Sequence, residues 1–348
     1  MSVEGHDSVA PPNALRNALR NVIHDGRLTM SATPDRAQSQ QGAKPDSLRS
    51  TRAGAIWTAL PARDQHLLLW LLAGDIVTAQ LATLLVYGQL RVAQRRLSRL
   101  VELGVLRGFW SATAQRPRGR YAYVLTRPTR LDVERLSWPE GRPDRPPEIP
   151  ASAAVHQLAT HDLFAAFLRH GDPLLREGIF AWIPERACGQ LFDGFLRPDA
   201  LAGIRVADRA IMMFIERDLG TERGEVLAEK IRRYRSVFAR AVDVPIHVGF
   251  VVESDRRANT VHGLVTGRHM PGSGVRFLTA VDARVSADPM GARWTDGRAS
   301  WSTRDLTSAS APIDCPILIA GCLSDPDALS ALDDRGSSML PALRSYVR

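Results

Sequence analysis

Between Trp138 and Pro150 the chain reads Trp-Pro-Glu-Gly-Arg-Pro-Asp-Arg-Pro-Pro-Glu-Ile-Pro. Proline locks φ and has no amide proton to donate, so five prolines in this stretch exclude a helix or a paired strand there and predict an extended linker. Whatever folds must therefore fold as two pieces with separate cores. A chain of 348 residues, 45% of them hydrophobic, has the apolar surface to build both. The expected organisation is a disordered tail over 1–54, a first domain over 55–135, the linker over 136–152, a second domain over 153–285 and a C-terminal extension over 286–348. The tail is rich in Ser, Pro, Gln, Asp and Arg and short of aromatics, too little to offset its ordering entropy. Within it, Leu15, Leu19, Val22 and Ile23 fall at helical spacing between Pro12 and Gly26, which predicts a short amphipathic helix that forms only against a partner surface.

In the first domain, Pro61 to Ala73 reads as a helix with Leu67, Leu68, Trp70 and Leu71 as its apolar faces and Gly74 as its stop. Thr78 is placed to cap a second helix from Ala79 to Leu85. A third follows over Leu90–Leu103, in which Leu90, Ala93, Leu97, Leu100 and Val101 form the stripe expected to be buried. Its outer face then carries Arg91, Gln94, Arg95, Ser98 and Arg99, side chains that can pair with guanine and adenine edges in a major groove. Val105–Trp110 and Tyr121–Leu125 read as the two strands of a wing, joined by a turn holding Arg116, Arg118 and Arg120, which suit phosphates or a minor groove. Three helices followed by a basic hairpin make a winged helix-turn-helix, with double-stranded DNA as the expected partner. Winged helices also serve as protein-interaction modules, and arginine-rich faces are often only solvated.

The formal net charge of +8 agrees with a polyanionic partner. Nearly all of the positive charge is arginine, the only lysines being Lys44 and Lys230, and arginine bias also follows genomic base composition. Three cysteines, Cys188, Cys315 and Cys322, stand far apart and form no C-x-x-C pair. Neither a disulfide framework nor a zinc site is expected, which fits a reducing cytoplasm. The apolar run Leu67–Ala73 is too short to cross a bilayer, and no charged-then-apolar signal pattern opens the chain, so no membrane association is expected.

The second domain reads as helix, three strands, helix, strand, helix and strand, an α/β unit with a mixed sheet. In the strand Ala210–Asp218, alternate residues share a face, so Glu216 and Asp218 project to one side at its end. Phe195–Leu201 reads as the neighbouring strand, with Asp199 after a proline; Asp199 beside Glu216 would make an oxygen-rich pocket suited to Mg²⁺ or Mn²⁺. A helix over Thr221–Arg240 has Leu227, Ile231, Tyr234 and Phe238 as its apolar stripe, with Lys230 at the edge of that stripe and able to reach the carboxylates. A metal on two carboxylates with an ammonium to position water supplies the parts for phosphodiester hydrolysis. An inert scaffold, with Glu216, Asp218 and Glu222 paired to Arg217 and Arg223, is the other reading of the same residues. Asp162 falls on the apolar face of the preceding helix, where a hydrogen-bonded aspartate is expected more than a metal ligand. His156 and His161 are five apart rather than the three or four of helical metal ligands, so a core or surface role is expected of both. Beyond Asp282, Trp294, Trp301 and the run 316–320 carry no assignable chemistry.

The winged helix, Arg197-Pro-Asp199, the strand ending Phe214-Ile-Glu-Arg-Asp-Leu-Gly-Thr-Glu222 and the helix Leu227-Ala-Glu-Lys-Ile-Arg-Arg-Tyr234 together resemble the replication-relaxation family of mobile-element proteins over roughly 56–282. The resemblance implies an α+β protein, a winged helix-turn-helix followed by a restriction-endonuclease-like domain, similar to one class of plasmid relaxases. It implies Asp199 and Glu216 as metal ligands and Asp199, Glu216, Asp218 and Lys230 as the catalytic set. The P-D…(D/E)-x-K signature of that fold is broken at Asp218, where its lysine belongs; Lys230 would supply the amine from the helix. The function expected is site-selective DNA binding with metal-dependent nicking by water, in a plasmid or integrative element. The alternatives are a non-catalytic DNA-binding regulator or replication accessory factor, and an RNA-processing nuclease. Winged helices often bind palindromes as homodimers, although no dimer surface stands out in the sequence.

Overall fold

The computed structural model describes residues 59–113, 116–137, 151–172, 174–192, 194–220, 222–238, 246–266 and 275–308. The expected tail with its short helix, the proline-rich linker over 138–150 and the run 316–320 lie outside the described residues. The chain divides into two compact units at Val155/His156. No described helix is long and apolar enough to cross a membrane.

In the first unit, helix α1 (Ala62–Gly74) leads into strand β1 (Ile76–Thr78), helix α2 (Ala79–Ala82) with its wider continuation Thr83–Tyr87, helix α3 (Leu90–Glu102), strands β2 (Leu106–Thr113) and β3 (Arg116–Leu125), and helix α4 (Arg127–Ser137). Thr78 starts α2 as its sequence suggested, its hydroxyl accepting the Leu81 N–H at 3.2 Å. Gly88 ends the following turn at φ 71°, where a Cβ would be strained. The three strands form an antiparallel sheet in the order β1-β3-β2. Ala93, Leu97 and Leu100 are the buried stripe of α3, but Leu90 and Val101 are 42% and 36% exposed. At 100° per residue Leu90 and Val101 fall together on one flank of the stripe set by Ala93, Leu97 and Leu100, at its solvent edge. The hairpin is also longer than its apolar segments suggest: Arg116, Arg118 and Arg120 belong to β3 rather than to a turn, because backbone pairing continues where the apolar alternation stops.

The second unit runs α5 (Ala151–His170), β4 (Glu177–Pro184), α6 (Glu185–Leu191), β5 (Ala200–Val206), β6 (Arg209–Asp218), α7 (Gly224–Val237), β7 (Ile246–Val252), α8 (Asp255–Thr266), β8 (Val275–Val281), α9 (Asp282–Ala287), β9 (Arg293–Thr295), β10 (Ser300–Ser302) and α10 (Thr303–Ser308). The architecture is α+β, with a mixed seven-stranded sheet ordered β10-β9-β8-β7-β6-β5-β4. The β6–β7 and β7–β8 pairs are parallel and the others antiparallel. β7 is buried along its whole length and correspondingly reads Ile-His-Val-Gly-Phe-Val-Val. Leu227, Ile231 and Tyr234 of α7, with Phe238, pack on Phe214, Val248, Phe250 and Phe277 on one face of the sheet. On the other face Trp294 lies against Gly249 and Met213, its indole N–H donating to Thr303 Oγ1 at 2.9 Å. That places the isolated Trp294 in a core.

Candidate functional site

β5 and β6 are antiparallel with Ala200 opposite Ile215, so one further step of the register sets Asp199 beside Glu216 on the same face. Asp199 stands immediately before β5 rather than inside a strand starting at Phe195, and Phe195 itself is exposed. Its Oδ2 accepts the Arg217 N–H at 2.5 Å, fastening the carboxylate to the end of β6. Its Oδ1 lies 2.8 Å from His156 Nε2, contributed by α5.

Glu216 is buried. Its Oε1 accepts the Tyr234 hydroxyl at 2.6 Å and its Oε2 accepts Lys230 Nζ at 3.0 Å. Lys230 and Tyr234 are four apart on α7 and therefore share the helix face turned to the sheet. Lys230 also donates to Glu222 Oε1 at 2.8 Å. Asp199, Glu216 and Lys230 thus come together, with His156 and Tyr234 completing the group. Asp218 does not join them directly: its Oδ2 takes Arg257 Nε at 2.5 Å and its Oδ1 accepts the Gly220 N–H at 2.9 Å. Arg257 in turn donates to the Glu222 carbonyl at 2.5 Å, which links the two sets. Arg217 turns to the opposite side and pairs with Asp282 at 2.6 Å, so Glu216 and Asp218 are not surface charges neutralised by Arg217. Asp162 is half-buried and His161 is buried.

Burial, reinforced by the nearby charge of Asp199, pushes the Glu216 carboxyl up to about 7 against the pull of Lys230 and the Tyr234 hydrogen bond. For Lys230, burial opposes the ammonium, but Glu216, Asp199 and Glu222 outweigh it and raise its pKa. His156 is raised in the same way, with Asp199 overcoming burial. The Tyr234 phenol is held well above its usual range by burial and by Glu216.

His156, Tyr234 and Arg257 are the members that sequence reasoning missed. Tyr234 carried a signal, its position four residues after Lys230; His156 and Arg257 come from elements whose approach to β6 is set by tertiary packing alone.

In the first unit, Arg91, Gln94, Arg95, Ser98 and Arg99 are all exposed on α3. Arg99 forms a surface pair with Glu102 at 2.9 Å. Arg96, on the flank, is bound to the buried Asp64 of α1. Arg120 is half-buried in β3, and the side chains of Arg116 and Arg118 lie outside the described residues.

A family model described as replication-relaxation matches residues 75–252, from the end of α1 to the end of β7. No curated protein and no solved structure matches.

Proposed function

Because the chain belongs to the replication-relaxation family, we propose that it binds and nicks DNA in the replication or transfer of a plasmid or integrative element. The observation that carries this reading is the convergence of Asp199, Glu216 and Lys230 from three places in the chain on the ends of β5 and β6. The order α5, β4, β5, β6, α7, β7, helix, three strands, helix and strand apart from the short helix α6 between β4 and β5, supports a restriction-endonuclease-like domain. The order of three helices and a hairpin, with a polar outer face on α3, supports a winged helix-turn-helix that selects a site on double-stranded DNA.

A divalent cation fits the donor set chemically. Two carboxylates forced side by side in a buried place, one of them held up to about 7, concentrate negative charge that a hard cation relieves. Among the described residues no three His, Cys, Asp or Glu side chains are grouped as ligands. Mg²⁺ or Mn²⁺ on Asp199 and Glu216 would therefore keep several waters, as Mg²⁺ commonly does. Such an ion would stabilise charge on a scissile phosphate and activate bound water. Lys230, with its raised pKa, stays an ammonium near neutrality, so it positions water or phosphate and does not serve as the base. Asp218, neutralised by Arg257, shapes the turn into α7.

A second reading, a non-catalytic DNA-binding accessory factor, is favoured by one observation: each carboxylate oxygen of Asp199 and Glu216 already has a partner within the chain. The test is supercoiled plasmid carrying the native element, incubated with full-length protein and Mg²⁺ or Mn²⁺. Open circles from wild type, and none from Asp199→Asn or Glu216→Gln, are expected. Retarded but still supercoiled plasmid with wild type would leave only the accessory role, and undiminished nicking by both variants would move the chemistry elsewhere.

A further inference from the structure

We infer that the β2–β3 hairpin is a stacking platform for unpaired bases, so that part of the DNA held by this protein is single-stranded. The inference rests on the DNA-binding reading above and narrows its substrate. Trp110 stands opposite Tyr121 in the hairpin register and Gly108 opposite Tyr123, which puts all four on one face. The three rings form a ladder of edge-to-face contacts, Trp110 to Tyr121 at 5.2 Å and Tyr121 to Tyr123 at 5.1 Å between centroids. Tyr123 is buried and anchors the inner end, whereas Trp110 is 67% and Tyr121 41% exposed.

One glycine makes room for these rings and a second lies in ordinary contact with them. A Cβ on Gly108 would lie 2.2 Å from the Tyr121 hydroxyl oxygen. Gly119, at φ +67°, has the Trp110 ring 3.4 Å from where its Cβ would be. Each exposed ring therefore lies over a glycine of the opposite strand, an arrangement that holds the outer edge of the ladder open instead of folding it into a core. The same two strands carry Arg107, Arg116, Arg118 and Arg120 and no acidic residue; the register sets Arg107 and Arg120 on the face behind the rings, so they give the hairpin its positive charge without lining the aromatic face. Paired bases in a duplex have their faces covered by neighbours and offer only edges in the grooves. Unpaired bases offer π faces, and aromatic side chains backed by arginine are the surface that takes them without sequence preference.

The experiment uses full-length protein with fluorescently tagged oligo(dT) and, separately, a duplex of the native element. Trp110→Ala is expected to weaken oligo(dT) binding by about tenfold and to leave duplex affinity within about twofold, with an unchanged thermal melt. Trp110→Phe is expected to retain most of the oligo(dT) affinity, and the emission difference between wild type and Trp110→Phe should be quenched on adding oligo(dT). Oligo(dT) binding by Trp110→Ala equal to wild type, with duplex binding intact, overturns the platform and leaves the DNA-binding reading standing. Binding of neither DNA by wild type overturns both. A change in sedimentation of Trp110→Ala without any change in DNA binding overturns the platform too, and gives the face to a second copy of the chain.

Discussion

Arg95 and Arg96 are adjacent in α3 and have opposite surroundings. Arg95 is exposed on the outer face with Arg91 and Gln94. Arg96 turns inward, where both oxygens of Asp64 receive its guanidinium and Oδ1 also accepts the Tyr87 hydroxyl at 2.8 Å. Asp64 is buried, and its hydrogen bond with Arg96 raises the arginine's pKa despite partial burial. This clamp ties α1, the turn after α2 and α3 into one body. Removing Arg96 leaves a buried carboxylate with only the tyrosine for company, so Arg96→Ala is expected to cost on the order of 2 kcal/mol in urea unfolding. Removing Asp64 as well should recover part of that loss, because the uncompensated charge goes with it. Arg95→Ala should change stability by no more than about 0.5 kcal/mol while lowering preference for the native DNA site over random duplex. Equal destabilisation by Arg95→Ala and Arg96→Ala would refute the division between reading and holding.

At the scale of elements, the second unit depends on how closely its two faces press on β7. Gly249 lies between Met213 and Trp294: an added Cβ would sit 2.7 Å from the indole ring and 2.9 Å from the methionine sulfur. Trp294 cannot withdraw, since it is buried and hydrogen-bonded to Thr303, and Met213 is itself fully buried. Gly249→Ala is therefore expected to cost about 1–3 kcal/mol by overpacking, read as a lower denaturant midpoint with the slope unchanged. A neutral Gly249→Ala would mean that β9 and α10 do not cover this face. Elements with a strong apolar pattern were legible in the sequence: α1, α3 and α7 follow from apolar spacing and β6 from its apolar run, strand alternation set Glu216 and Asp218 on one face, and the neighbouring strand brought Asp199 beside Glu216 on paper. What escaped depended on partners distant in the chain. The Asp218 carboxylate takes Arg257 from α8, so two acids at alternate positions of one strand have different surroundings. His156 looked unremarkable at a spacing of five from His161, because its partner is Asp199 and not another histidine. β9 and β10, three residues each, are too short to show any period.

At the scale of the whole molecule, each unit buries an ionisable group whose titration acts on stability with opposite sign. In the first unit His66 is buried with neither ring nitrogen hydrogen-bonded among the described residues, and burial lowers its pKa from 6.5 to about 4. The unfolded chain takes up that proton near 6.5 and the folded unit does not. The stability His66 permits is thus complete above 6.5 and is lost as pH falls toward 4, by up to ~3 kcal/mol. In the second unit Glu216 is raised from 4.5 to about 7. The folded unit holds a proton there that the unfolded chain has released, so this contribution is complete below 4.5 and is lost as pH rises through 7. His156, raised by Asp199 against burial, adds to the second trend above 6.5. Between pH 4.5 and 6.5 the two effects oppose each other, and calorimetry on the full chain should find the wild type changing little in any transition that the units share. His66→Leu removes the gain, so its melting temperature should fall as pH rises across that window; Glu216→Gln removes the loss, so its melting temperature should rise. The sign of each slope in a shared transition survives any uniform destabilisation by the substitution itself; where the units melt apart, each substitution instead flattens the pH dependence of its own unit's transition. Parallel slopes in the two variants would mean that these side chains are not buried in the protonation states their surroundings impose.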